Sequence, residues 1–250
     1  MTEKQEYKKF NIGILSGNAL KMIAAFCMLV DHIGLIIFPN VGIFRIVGRL
    51  SFPIFAFMIS EGCKYTKNKL KYFLSVFLLA TACQTVFYIY SKDLYMCILV
   101  TFSVSIAVIY ALKFMKKTVI SAKSSKLIKL LSVLIFCASV AGAYAINLIL
   151  DIDYGFFGCM APVFASIVER EDELPRALRK FGTLPIRVFL FGVGLLAMVL
   201  FYRGISFFAL LSLLVLLLYS GERGRLKMKY FFYVFYPSHL VILNAISTLM

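Results

Sequence analysis

Apolar runs near membrane-spanning length follow one another along almost the whole chain, separated by short polar connections. They fall at 20–38, 42–60, 70–90, 95–114, 128–149, 155–169, 186–202, 204–219 and 230–249. A helix needs about 20 apolar residues to cross a hydrocarbon core of about 30 Å. The pattern therefore predicts an all-α, polytopic integral membrane protein with about nine transmembrane helices. The sixth run, at about 15 residues, is short for a full span and is expected to be tilted or partly re-entrant. No internal repeat, low-complexity segment or long soluble loop interrupts the series. The expected organisation is an N-terminal segment, 1–19, followed by a single transmembrane domain over 20–250.

Composition sharpens this picture. Of 250 residues, 62% are hydrophobic and 16% charged, with a mean hydropathy of +0.91. Soluble domains sit near 45–50% apolar and about a quarter charged. A water-soluble enzyme, a disordered chain and a secreted disulfide scaffold are thereby excluded. The six cysteines (Cys27, Cys63, Cys83, Cys97, Cys137, Cys159) lie scattered, mostly inside apolar runs, with no C-x-x-C spacing. They read as small hydrophobes in packed helices, and no metal site is expected. The first apolar run carries Asp31 and His32, which is wrong for the core of a cleavable signal peptide, so none is expected.

The net charge of +15 raises the question of nucleic acid, and its placement answers it. Basic connections hold Lys4, Lys8, Lys9 and Lys21; Lys64, Lys67, Lys69 and Lys71; Lys113, Lys116, Lys117, Lys123, Lys126 and Lys129; Arg170, Arg176, Arg179, Lys180 and Arg187; and Arg223, Arg225, Lys227 and Lys229. Between them lie Pro39–Val41, Lys92–Asp93, Asp151–Tyr154 and Arg203, nearly uncharged or acidic. Such strict alternation is the positive-inside signature. It predicts a cytoplasmic N-terminus, contact with anionic lipid headgroups and no nucleic-acid partner.

Polar residues inside spans are costly in lipid and therefore informative. Asp31 and His32 stand in the first run, Arg45 and Arg49 in the second, Glu61 at its inner end, Asn147 in the fifth, and His239 and Asn244 in the last. The two histidines of the chain lie 11 residues after Lys21 and 10 after Lys229. At about 1.5 Å per residue both stand near the bilayer midplane, where they can line one cavity; a structural hydrogen bond from each ring is the alternative. Adjacent side chains on a helix diverge by about 100°, so Asp31 is expected to hold Arg45 or Arg49 of another helix rather than His32. Arg45 and Arg49 share a face, and Ser51–Pro53 lets their helix bend. The arginines suit a phosphate, a carboxylate or Asp31 itself. Lys64, Lys67 and Lys71 at the inner mouth suit a phosphorylated cytosolic cofactor, and topology alone explains them too. Asp151, Asp153 and Tyr154 form an acidic outer turn that either recognises a basic group or is simply solvated. Pro237 leaves helix carbonyls unpaired beside Ser238 and His239, which can satisfy them.

The run from Lys21 to Ile33 (KMIAAFCMLVDHI), followed by Gly48 to Phe57 (GRLSFPIFAF), resembles the start of the TraX family. Tyr154 to Gly158 (YGFFG) and Phe235 to Leu240 (FYPSHL) are similar to its later motifs. The resemblance implies an integral membrane acetyltransferase of the bacterial cytoplasmic membrane, with acetyl-CoA as donor and the N-terminal amine of a pilin-like subunit as acceptor. Lys21 and His32, ten residues apart, also resemble the first-helix element of membrane acyltransferases that O-acetylate surface sugars. In those an Arg-x-x-Arg helps to hold acetyl-CoA; here Arg45 and Arg49 and the lysines at 64, 67 and 71 stand in its place.

On this reading His32 is the general base or a transient acyl carrier, since histidine titrates near neutrality. Asp31 positions the site through the arginines, Arg49 stabilises thioester or oxyanion charge, and His239 is a second proton-transfer group or orients the acceptor. Arg45, Arg49, Lys64, Lys67 and Lys71 hold the donor, and Asp151, Asp153 and Tyr154 receive the acceptor. A surface-glycan hydroxyl is the alternative acceptor. A proton-coupled transporter or flippase using the same polar residues is the rival class, and a non-enzymatic assembly subunit the third. Oligomerisation is left open, because lipid-facing Phe and Leu also suit a second copy.

Overall fold

In lipid a backbone has no water to bond, so each apolar run must close its hydrogen bonds within itself and becomes a helix. A computed structural model describes residues 13–92, 95–169, 181–225 and 228–249. Its elements are α1 (Gly17–Ile36), α2 (Gly42–Gly48), α3 (Ser51–Tyr65), α4 (Lys69–Ser91), α5 (Ile98–Ile120), α6 (Lys126–Ile149), α7 (Gly155–Phe164), α8 (Leu184–Tyr202), a 3-10 helix (Gly204–Leu211), α9 (Ser212–Leu217) and α10 (Lys229–Leu249). Lys4, Lys8, Lys9, Asp93, Arg170, Arg176, Arg179, Lys180 and Lys227, part of the charge pattern above, lie outside the described residues.

Among the described residues, seven helical segments, with 42–65 taken as one, are long and apolar enough to cross a membrane. The sixth and eighth predicted spans are shorter: α7 has 10 residues, and 204–217 is part 3-10 and part α. Among the described residues the structure therefore carries seven long apolar helices and two short ones; the sixth run was expected to be short, whereas the eighth was expected to span. A 3-10 helix rises about 2.0 Å per residue against about 1.5 Å for an α-helix, so 204–217 reaches about 25 Å where a plain α-helix would reach about 21 Å.

Helix starts follow the local sequence. The side chains of Ser16, Asn68 and Ser125 accept from the N–H groups of Ala19 (3.2 Å), Lys71 (2.9 Å) and Ile128 (3.3 Å), each filling one of the otherwise unpaired donors of a first turn. On the outer faces, hydroxyls bond back to their own helix: Ser75 to the Lys71 carbonyl and Thr81 to that of Phe77. Asn244 likewise donates to the Leu240 carbonyl at 2.8 Å and is exposed on α10, away from the polar interior. Large apolar side chains such as Phe26, Leu78, Leu148, Phe189 and Val234 are exposed, which suits a surface whose solvent is lipid.

The described residues form two compact units, one from those up to Met58 together with those from Val168 onward, the other from those within Ile59–Ile167. In the first, α1 packs on α2 and α10, and α8 on the 3-10 helix and α9. The start of α1 is laced to the end of α9: Leu15 N–H donates to Leu218, Gly17 to Glu222 and Asn18 to Arg223, at 2.9, 2.7 and 3.0 Å. Those bonds occupy N–H groups that a helix start leaves unpaired. Phe57, Phe191 and Tyr219 meet edge to face beneath them.

In the second unit α5 packs against α4, α6 and α7. Thr101 near the start of α5 donates to the Asp153 carbonyl just before α7, and Ser105 one turn on donates to the Cys159 carbonyl. Lys116 near the end of α5 reaches the Ser166 and Ile167 carbonyls just past α7. The two helices therefore run parallel. Buried Thr101 and Ser105 keep that seam narrow, since small side chains let membrane helices approach closely.

Candidate functional site

The polar residues of α1 point two ways, as adjacent positions on a helix must. Asp31 turns to α2, where its Oδ2 meets the Arg45 guanidinium at 2.7 Å and its Oδ1 stands 3.7 Å from that of Arg49. The sequence left open which arginine Asp31 would hold; the carboxylate lies between both. Glycine makes this approach possible. A Cβ at Gly48 would fall on the Asp31 carboxylate, and one at Gly34 would strike the Phe44 side chain. α2 ends here because Pro53 cannot sit deep in a helix, and a turn at Arg49–Leu50 separates α2 from α3. The bend expected at Ser51–Pro53 is thus a full break. It leaves Arg49 at the C-terminus of α2, where the helix dipole favours a cation.

His32 turns to α10. Its Nδ1 lies 2.9 Å from Nε2 of His239, with ring centroids 5.0 Å apart. His239 is 4% exposed and tightly held. Its Nδ1 donates to the Phe235 carbonyl at 2.8 Å, the Phe235 ring stacks on it at 5.0 Å, and Tyr236 meets it edge-on at 5.8 Å. Ser238 also donates to the Phe235 carbonyl, at 3.2 Å. Both side chains that follow Pro237 therefore converge on one carbonyl of the disturbed turn. One carboxylate, two guanidiniums and two imidazoles gather in the first unit, with net positive charge from the Asp31–arginine trio. Such a place can hold an anionic group or stabilise negative charge developing on an oxygen, and its imidazoles can carry a proton.

The other sequence-derived candidates lie in the second unit and are not gathered into one place. The Lys64 side chain is fully covered, donates to the Ala165 carbonyl at 3.2 Å and stands 3.9 Å from Glu61. Lys67 and Lys71 are exposed around the start of α4. Beyond the opposite end of α5, Asp153 accepts from the Tyr95 hydroxyl at 2.7 Å, while its backbone and that of Asp151 pair with Met96. Burial, and then the Asp153 carboxylate beside it, push the Tyr95 phenol above its usual range. Tyr154 starts α7 with φ of 59°, and Asp151 is exposed.

Sequence reasoning missed Arg187, which it counted as loop charge. It is 4% exposed inside α8, with its guanidinium 5.6 Å from the centre of the Phe57 ring, close enough for a cation–π contact. Its position just after Pro185, already within an apolar run, was the available signal. Gly48 was also missed as the space-maker for Asp31; its place between two arginines was visible, but the approach of α1 was not.

These features define a multi-pass, all-helical membrane protein with a histidine pair and a carboxylate–arginine cluster on its first, second and last helices. The chain belongs to the TraX family, whose model, described as TraX protein, matches residues 16–247. A 38-residue stretch is 47% identical to Uncharacterized protein RP591 of Rickettsia prowazekii (strain Madrid E), covering 15% of this chain and 15% of that protein. No solved structure matches the chain.

Proposed function

We propose that the protein is a membrane-embedded acetyltransferase that moves an acetyl group from acetyl-CoA to an acceptor amine, with the N-terminus of a pilin-like subunit as the acceptor class. The observation that carries this reading is the His32–His239 contact at 2.9 Å beside the Asp31–Arg45–Arg49 cluster. An amine attacking a thioester must lose a proton and push negative charge onto the carbonyl oxygen. His32 takes the proton, as base, or bears the acetyl group in passing. Arg49 faces the developing charge, and Asp31 with Arg45 holds Arg49 in place. The cluster's excess positive charge fits a donor that carries phosphates. On this reading the site lies in a bacterial cytoplasmic membrane, between a donor made in the cytosol and acceptors used outside.

The test is transfer of labelled acetyl from acetyl-CoA by the detergent-purified protein, offered a pilin-like peptide amine and, separately, a surface glycan. Label on the peptide N-terminus is the expected outcome. Label on the glycan alone would move the acceptor to a sugar hydroxyl and keep the chemistry. Folded protein that neither binds acetyl-CoA nor releases CoA would overturn the enzyme reading in favour of a proton-coupled transporter.

A further inference from the structure

We propose that His239 is a positioning residue that fixes the tautomer of His32, making Nε2 of His32 the nitrogen that exchanges protons with the substrate. A carbonyl oxygen only accepts, so Nδ1 of His239, 2.8 Å from the Phe235 carbonyl, must carry a hydrogen. A neutral imidazole has one N–H, which leaves a lone pair on Nε2 of His239. The 2.9 Å contact with His32 then needs its hydrogen from the other side, and Nδ1 of His32 supplies it. The lone pair of His32 is left on Nε2.

Both rings are thereby held in the Nδ1–H form, the opposite of the form that free neutral histidine favours in water. His239 can impose it because its ring has no freedom to turn: it is buried, stacked on Phe235, met edge-on by Tyr236 and hydrogen-bonded to its own helix. His32, half-buried on α1, has the Met28 carbonyl of its own helix as a second hydrogen-bond partner, which favours a hydrogen on the same side of the ring and so works with His239 rather than against it. The charged groups around the pair are Asp31 on the same helix and Arg45 and Arg49 from α2.

The proton inventory of the proposed reaction closes on this arrangement. As the acceptor nitrogen bonds to the acetyl carbonyl carbon and the C–S bond breaks, Nε2 of His32 takes the proton that the nitrogen sheds. The hydrogen on Nδ1 of His32 slides toward Nε2 of His239, so the positive charge spreads over two rings. The departing thiolate then takes the proton from Nε2 of His32, and both rings return to their starting form.

This catalytic consequence rests on the acetyl-transfer reading; the tautomer itself does not. The chain has two histidines, so nitrogen-15 NMR of protein labelled at the histidine rings reports on this pair alone. At neutral pH the expected spectrum has both Nδ1 atoms protonated, both Nε2 atoms bare, and coupling between Nδ1–H of His32 and Nε2 of His239. His239→Phe keeps a ring but removes the imidazole acceptor, leaving the Met28 carbonyl as the remaining one, and should shift His32 toward its Nε2–H form. His239→Gln offers an amide oxygen and should hold Nδ1–H. In turnover, His239→Phe should lower kcat by about 100-fold or more with KM for acetyl-CoA unchanged, and His239→Gln should recover most of it. Nε2–H on His32 in the unaltered protein would overturn the proposal, as would equal losses of turnover in the two variants. The predicted tautomers in a folded protein that releases no CoA would refute the enzyme reading while upholding the structural half of the proposal.

Discussion

The polar residues of the two units bond in different ways. In the first, Asp31, Arg45, Arg49, His32 and His239 reach one another side chain to side chain, across α1, α2 and α10. In the second, side chains mostly end on backbone. Lys64, Lys113 and Lys116 donate to the carbonyls of Ala165, Cys63 and Ser166 near the C-terminal ends of α7 and α3. Thr101 and Ser105 tie α5 to α7, and Gln84 bonds the Tyr95 carbonyl and the Cys97 N–H. Helix ends leave carbonyls unpaired and carry partial negative charge, so lysine there satisfies both needs. A polar group spent on the backbone is committed to the fold, whereas one facing another ionisable side chain keeps a proton or a charge to exchange. Being polar inside a membrane helix is thus a weaker signal of chemistry than the identity of the bonding partner.

Substitutions can break this contrast. The largest effect should come from His32→Ala, with turnover reduced by about 1,000-fold or more and the protein still folded. Asp31→Asn comes next, since it leaves two guanidiniums without their carboxylate. It should lower turnover by about 100-fold and cost about 2 kcal/mol, less than a fully buried pair because the partners keep some exposure. Thermal unfolding in detergent, followed beside CoA release, separates the two losses. Gly48→Ala should force α1 from α2 and cost about 1–3 kcal/mol, whereas Gly142→Ala, where an added Cβ meets nothing within 4 Å, should be neutral or stabilising by about 1 kcal/mol. In the second unit, Thr101→Val or Lys116→Ala should cost about 1 kcal/mol each and lower Tm with turnover per folded molecule unchanged. Lost turnover at normal stability in either would draw the second unit into the chemistry.

Much of this architecture was legible in the chain. Runs of apolar residues must become helices in lipid, and the spacing of Arg45 and Arg49 placed both on one face for Asp31. The nearly equal distances of His32 and His239 from Lys21 and Lys229 put the two rings at about one depth, though their direct contact depends on helix rotation, which spacing alone does not give. The 3-10 geometry of Gly204–Leu211 was invisible, because an apolar run reads alike in either helix. The fate of the lysines was equally hidden. Lys64, Lys67 and Lys71 look alike in sequence, and only the folded chain separates the covered Lys64 from the exposed pair. Asp153 resembled an exposed acceptor site because its partner, Tyr95, lies 58 residues away.

The most direct measurement is the initial rate of CoA thiol release from acetyl-CoA by the purified protein, in the presence of an amine acceptor, with His32→Ala beside it. Saturable release that disappears in a folded His32→Ala protein is the predicted result. Undiminished release from His32→Ala would contradict the account, because the histidine pair would then have no part in the chemistry.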